Sequence, residues 1–259
     1  MKRLIFIIAA LGILFTTYAS ESLADKAFKS YSQDQYSEAV DIYNEILAGG
    51  EVSSDLYYNL GNAYYKSGFP AKAILCYERA LLLDPNNAEA RNNLDFANSK
   101  LVDSTSNDED ILDSFGAKLS NLTTFNGWAV IEIISFLLIL GAAALYIFNS
   151  NVLLRKVGFF GGIVMIVVCI VSNIIAVRTA SVITDSGYAI LMSESATFST
   201  SPREAQNKSE EAFTLHSGVK LQIVDSLLVK TDKGETMWYN VKTDDAHQAW
   251  IAGTEIEKI

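Results

Sequence analysis

Two apolar runs, residues 128–148 and 157–177, leave this chain few ways to fold. Each is 21 residues long; the second carries no charge and the first only Glu132. About 20 such residues cross the hydrocarbon core of a bilayer as a helix, which satisfies its own backbone hydrogen bonds there. Residues 149–156 between them suffice for a turn and little else, so the pair is expected to form a membrane hairpin with spans at 126–148 and 157–177. A double crossing returns the chain to the side it left. Whatever precedes residue 126 and follows residue 178 then shares one compartment.

Charge orients the hairpin. The connector carries Arg155 and Lys156 and no acid, whereas the approach to the first span holds Asp103, Asp108, Glu109, Asp110 and Asp113 against Lys118. By the positive-inside bias the connector is cytoplasmic and both flanking parts are exported. The N-terminus agrees: Lys2 and Arg3, an apolar stretch at 4–15 and the small or polar exit Thr16, Thr17, Ala19 and Ser20 have the form of a signal peptide over residues 1–19. No cysteine stands at the exit to take a lipid anchor, and an uncleaved N-terminal anchor would leave the same topology. The formal charge of -10 is concentrated in the two soluble parts, which makes nucleic acid and anionic lipid surfaces poor partners. Cys169 falls inside the second run and Cys76 in the first soluble part, so no disulfide is expected between them.

Residues 20–101 read as helix, and they repeat. Tyr57, Leu60, Gly61 and Tyr64, followed by Ala73, Tyr77, Ala80 and Pro85, resemble the tetratricopeptide pattern at its diagnostic spacing. Ala39, Tyr43 and Leu47 stand 34 residues before Ala73, Tyr77 and Leu81, which marks residues 23–49 as a degenerate copy with Lys26 and Ala27 at the places of Leu60 and Gly61. Gly61 and Ala73 suit a close helix crossing, and the tyrosines fill the gap to the next repeat. Ala90, Leu94, Ala97 and Leu101 form one apolar stripe over residues 87–101, as expected of a terminal capping helix. A core of about two repeats is small enough to need support from a neighbour.

In tetratricopeptide folds the first helix of each repeat lines a concave groove. Carried over, those positions make Asp55, Tyr58, Asn59, Asn62, Tyr65 and Asn93 the candidate peptide-binding residues. Asparagine offers a paired donor and acceptor to an extended backbone. Polar helix surface with no ligand is the competing reading. Glu89 and Asn93 stand where a grip on a terminal carboxylate would want cations, which disfavours a C-terminal ligand.

Residues 102–125 turn to Ser, Asp, Asn and Thr and read as an acidic, polar tether, with a short amphipathic stretch at 111–122. Within the spans, Glu132 and Asn173 each lie one turn in from the outer ends, roughly 6 Å at the helical rise. They are positioned to share a hydrogen bond, or Glu132 to reach Arg178. Gly158 and Gly162 form a small face near the turn, level with Gly141 to Ala144, suited to closing the hairpin or meeting another span.

From Gly187 onward the period becomes two. Strands are expected at 188–191, 196–198, 212–215, 220–224, 227–230, 237–241 and 248–251, separated by turn residues such as Ser201-Pro202 and Ser217-Gly218. Strands this short suggest a small barrel. Pro202, Phe213, Leu215, Gly218, Trp238, Val241, Trp250 and Ile251 follow an order similar to that of the bacterial SH3-like domain. Trp238, Tyr239 and Trp250 are its candidate binding surface, against the alternative that a tryptophan serves the core. His216 and His247 lack metal-ligand spacing and read as turn residues.

The expected architecture over residues 20–101, 126–177 and 181–259 is therefore a multidomain membrane protein: an all-α tetratricopeptide solenoid, a two-helix transmembrane hairpin and an all-β SH3-like barrel. There is no glycine-rich phosphate loop, nucleophile elbow or metal motif, so neither an enzyme nor a cofactor is expected. Signal peptide, repeats, hairpin and SH3-like domain, in this order and size, resemble the BatE proteins of the Bacteroides aerotolerance system. The resemblance implies a bacterial inner-membrane protein with periplasmic modules, acting beside membrane-anchored von Willebrand A-domain proteins and a MoxR-type ATPase. Two roles are in view: a scaffold whose groove binds partner proteins, or an envelope sensor whose SH3-like domain binds cell-wall peptide.

Overall fold

The computed structural model describes residues 22–103, 123, 125–184, 187–231, 234–243 and 247–259. The expected signal peptide, and the amphipathic stretch of the expected tether, lie outside the described residues. The chain divides into two compact units, residues 1–52 and 53–259.

The first unit contains α1 (Leu23–Ser32) and α2 (Tyr36–Ala48). Ser22 starts α1 with a capping box: its oxygen accepts from the Asp25 N–H at 3.0 Å, and the Asp25 carboxylate accepts from the Ser22 N–H at 3.2 Å. Ala27 and Ala39 are fully buried, with Tyr43 and Ile46 beside them in the unit's core. Asp34 makes the turn between the helices with φ 59°, a conformation that short polar side chains tolerate.

The second unit opens with α3 (Ser54–Lys66), α4 (Pro70–Leu83) and α5 (Ala88–Asn98). Each start is chemically specified. Ser53 accepts from the Leu56 N–H at 3.1 Å, Pro70 occupies the first turn of α4, and Asn87 accepts from the Ala90 N–H at 2.9 Å. Gly68 turns α3 into α4 with φ 83°, 34 residues after Asp34, so both helix pairs place a left-handed residue at the same point of the repeat. Gly61 admits Tyr77: a Cβ on Gly61 would lie 2.6 Å from the Tyr77 ring. The apolar stripe of α5 is buried through Ala90, Leu94 and Ala97.

Helices α6 (Phe125–Phe148) and α7 (Val152–Thr184) then pack as a hairpin, both long and apolar enough to span a membrane. Ile133, Phe136, Leu137, Val164 and Ile170 are among many large apolar side chains that this hairpin leaves exposed. Helix α7 extends past its apolar run at both ends, so the turn contracts from the expected 149–156 to Asn149, Ser150 and Asn151. Hydropathy registers solvent preference, whereas Arg155 and Lys156 are good helix formers that continue the helix. The helices approach closely at Gly158, where a Cβ would lie 2.7 Å from the Ala142 carbonyl oxygen.

Residues from 188 form an antiparallel sheet of β1 (Tyr188–Leu191), β2 (Ser195–Ser199), β3 (Glu211–His216), β4 (Lys220–Thr231), β5 (Gly234–Lys242), β6 (Gln248–Ala252) and β7 (Ile256–Lys258). Its order is β3-β2-β6-β5-β4-β1-β7, curled into a half-barrel about Leu191, Phe198, Leu221, Val241 and Ile251. Two expectations are corrected. The strands expected at 220–224 and 227–230 are one strand, because Asp225 and Ser226 continue the ladder after a register shift between Ile223 and Asp225 instead of turning the chain. Strand β7 was not expected, because three residues carry too little alternation to register.

The half-barrel docks on α4. Strand β1 is buried on both faces: Ala189 and Leu191 enter the sheet's core, while Ile190 joins Ala71, Ile74, Leu75 and Tyr77 in the helical core. Leu101, Met192 and Ile259 pack against the same cluster, and Gly218 sits so close that a Cβ would meet Leu101 Cδ2 at 2.5 Å. Around this contact Lys220 reaches Glu78 at 2.8 Å and Arg79 reaches Glu257 at 3.0 Å. Both pairs keep solvent contact and contribute about 0–1 kcal/mol each. Burying the whole Ile190 side chain contributes about 1.5–3 kcal/mol, so packing decides the docking.

Candidate protein-binding site

The exposed flank of the repeat lies where α3 runs beside α5, tied by three rungs. At one end the Asn87 amide donates to Ser54 Oγ at 3.0 Å. In the middle Asn62 Oδ1 accepts from Asn93 Nδ2 at 2.7 Å and from the Tyr77 hydroxyl at 2.8 Å. At the far end the Tyr65 and Phe96 rings lie 5.8 Å apart, with the Lys100 ammonium 5.4 Å from the Phe96 centroid.

These contacts divide the six candidate groove residues. Asn62 spends both acceptor positions of its oxygen on Tyr77 and Asn93, so it bonds α3 to α4 and α5 and offers a ligand no further acceptor. Asn93 gives an amide hydrogen to the same bond. Tyr58 is half-buried, its ring 6.4 Å from that of Tyr77, and Tyr65 packs against the helical core. Asp55 is exposed. Asn59 is half-exposed, and among the described residues no hydrogen bond engages its carboxamide. A ligand on this face meets the unengaged carboxamide of Asn59, a carboxylate at Asp55 and an aromatic edge at Tyr65 and Phe96. Phe96, 53% exposed, was missed because the tetratricopeptide pattern says little about the capping helix; its place two residues past Leu94, off the buried stripe, is the signal that marks it.

On the sheet, the three candidate aromatics separate. Tyr239 faces the core side, packed against Val241 and its neighbours, with the Lys258 ammonium 5.3 Å from its centroid. Trp238 and Trp250 share the opposite face with Asn240, since Asn240 pairs directly with Trp250. Trp238 is only 7% exposed, while Trp250 is half-exposed. His216 is no turn residue: it ends β3, and Asp103 Oδ2 accepts from its backbone N–H at 2.7 Å and lies 3.0 Å from its Nδ1. The donated backbone N–H chiefly holds the Asp103 carboxyl below its ordinary range. His247 sets its ring edge-on to Phe213.

In the hairpin, Asn173 Nδ2 donates to Glu132 Oε1 at 3.0 Å, and Ser172 Oγ donates to the Trp128 carbonyl at 3.3 Å. Gly158 closes the helix pair against Ala142 and Tyr146, whereas Gly162 makes an ordinary 3.5 Å contact with Ala142 Cβ. Cys76 is buried in α4, and burial pushes its thiol up to about 12, which keeps it protonated and unreactive.

Residues 54–87 match the family described as Tetratricopeptide repeat, a stretch that covers α3, α4 and the link into α5. That match carries a protein-protein interaction role for this part of the chain. A search of curated proteins finds no match.

Proposed function

We propose that this chain is a binding protein, with no catalytic activity of its own, held by two spans in a bacterial inner membrane with both soluble parts in the periplasm. The face of α3 and α5 binds an extended segment of a partner protein. In this reading the chain is a BatE-like scaffold acting beside membrane proteins that carry von Willebrand A domains.

The observation that carries the reading is the two-sidedness of the repeat. Its α4 side is covered by the half-barrel, while Asn59, Asp55 and Phe96 remain accessible on the other flank. One surface is spent on holding the molecule together and one is left for a ligand. The docking also supports a double crossing, because the segments before and after the hairpin must lie on one side to touch. The exposed apolar surface of α6 and α7 supports insertion, since helices of that composition are otherwise buried. Holding the groove at the membrane raises its effective concentration towards partners anchored in the same bilayer.

The test is cross-linking in intact cells, detergent extraction and mass spectrometry, comparing wild type with Asn59→Ala. Recovery of A-domain membrane proteins that falls in the variant, with the variant's expression unchanged, is the expected result. Equal recovery from both removes the groove as the binding site. A second reading, an envelope sensor with an SH3-like domain, is favoured by Trp250, which stands half-exposed beside Asn240. It predicts that Trp250→Ala lowers retention of purified protein on peptidoglycan while leaving partner recovery intact.

A further inference from the structure

We infer that the turn end of the hairpin is a binding site for an anionic phospholipid. Between α6 and the start of α7 lies an open hollow of about 310 Å³ lined by Tyr146, Val152, Arg155, Lys156, Phe159 and Phe160. Its walls form a connected aromatic group: Tyr146 and Phe159 have centroids 5.9 Å apart, and Phe159 and Phe160 lie edge to face at 5.3 Å. The Arg155 guanidinium stands 5.3 Å from the Tyr146 centroid, at the rim.

Charge and depth together select the occupant. No acidic residue occurs between Glu132 and Asp185, so the two cations at this end have no carboxylate near them in sequence. Among the described residues no ion pair engages either one. The chain's acidic balance belongs to its soluble parts and is reversed here. Phe159 and Phe160 follow Arg155 and Lys156 by four residues each, which sets an apolar surface about one helical turn, roughly 6 Å, below each cation. A free phosphate needs only the cations. A phospholipid places its phosphate at Arg155 and Lys156 and lays an acyl chain over Phe159 and Phe160, filling both parts of the hollow. Basic pockets between spans favour anionic head groups for this reason.

The proposal rests on the two-span reading, and the experiment separates the two. The full chain, purified in neutral detergent, is examined by native mass spectrometry with phosphatidylglycerol, with phosphatidylcholine of the same acyl chains and with inorganic phosphate. Two retained cations predict phosphatidylglycerol binding roughly thirtyfold tighter than phosphatidylcholine. Arg155→Gln with Lys156→Gln is expected to erase that preference, and Arg155→Lys with Lys156→Arg to restore most of it. Equal binding of the two lipids, an unaltered preference in the glutamine variant, or competition by inorganic phosphate overturns the lipid site. Alkaline extraction of membranes carrying the same proteins tests the spanning reading separately. Release of the wild type overturns that reading, and the lipid site with it.

Discussion

Asn62 and Asn59 show how one residue type can do two jobs three positions apart. The Asn62 oxygen is a structural acceptor for two donors, and Asn62→Ala leaves the Tyr77 hydroxyl and the Asn93 amide without it. A loss of about 1–3 kcal/mol is expected, read as a lower denaturant midpoint. Asn59→Ala breaks no such bond and is expected within about 0.5 kcal/mol of wild type. Cys76 offers a second residue-scale prediction. With its thiol held at about 12 by burial, a Cys169→Ser chain is expected to resist maleimide at pH 8 while folded and to label fully once denatured. Rapid labelling of the folded chain would mean that the α4 core opens readily.

Among the elements, the α6 and α7 pair depends on one glycine far more than on its neighbour. At Gly158 a methyl group would run into backbone, the Ala142 oxygen at 2.7 Å and the Tyr146 nitrogen at 3.0 Å, whereas at Gly162 it meets only the Ala142 methyl at 3.5 Å. Gly158→Ala is expected to force the turn end of the hairpin apart by about 1–3 kcal/mol, and Gly162→Ala to be nearly neutral. Disulfide trapping between cysteines placed near positions 142 and 158 measures the separation. The α3 to α4 crossing follows the same logic at Gly61, where the obstacle is the buried Tyr77 ring. Both glycines were legible as small residues in a pattern. Which of two glycines carries a close approach was not, because that depends on the rotation of one helix against another.

For the second unit as a whole, acid acts where Asp103 joins the end of the helical region to β3. A carboxyl held below its ordinary range stabilises the fold above its unfolded pKa of about 3.9, and the contribution is lost as pH falls through the lower folded value. Stability is therefore expected to decline as pH drops below about 4, and the Asp103→Asn chain to show a shallower acid limb. Thermal midpoints across that range, with hydrogen exchange at residues 216–221, check it. An acid limb unchanged by the substitution would place the sensitivity elsewhere. The same contact revises the expected tether at its first residues, since Asp103 is tied to the sheet.

The local pattern of side chains determined most of the helices and strands, though not the continuity of β4 or the short β7. The repeat's spacing, the caps at Ser53 and Asn87, Pro70, the two apolar runs and the period of two after Gly187 each act over a few residues, where backbone sterics and hydrogen bonding have short reach. Tertiary structure decided what meets what. Glu78 and Lys220 are 142 residues apart and Asp103 and His216 are 113 apart, so their pairing follows only once α4 and β1 have found one another. A hint was present in β1, where Ala189, Ile190 and Leu191 are apolar without alternation, as a strand buried on both faces must be. The second face could not be assigned to α4 from sequence, because apolar surfaces attract without direction and only shape selects the partner. Asn59 remained available for the same reason: α4 turned its outer side to the half-barrel and left the flank of α3 and α5 uncovered.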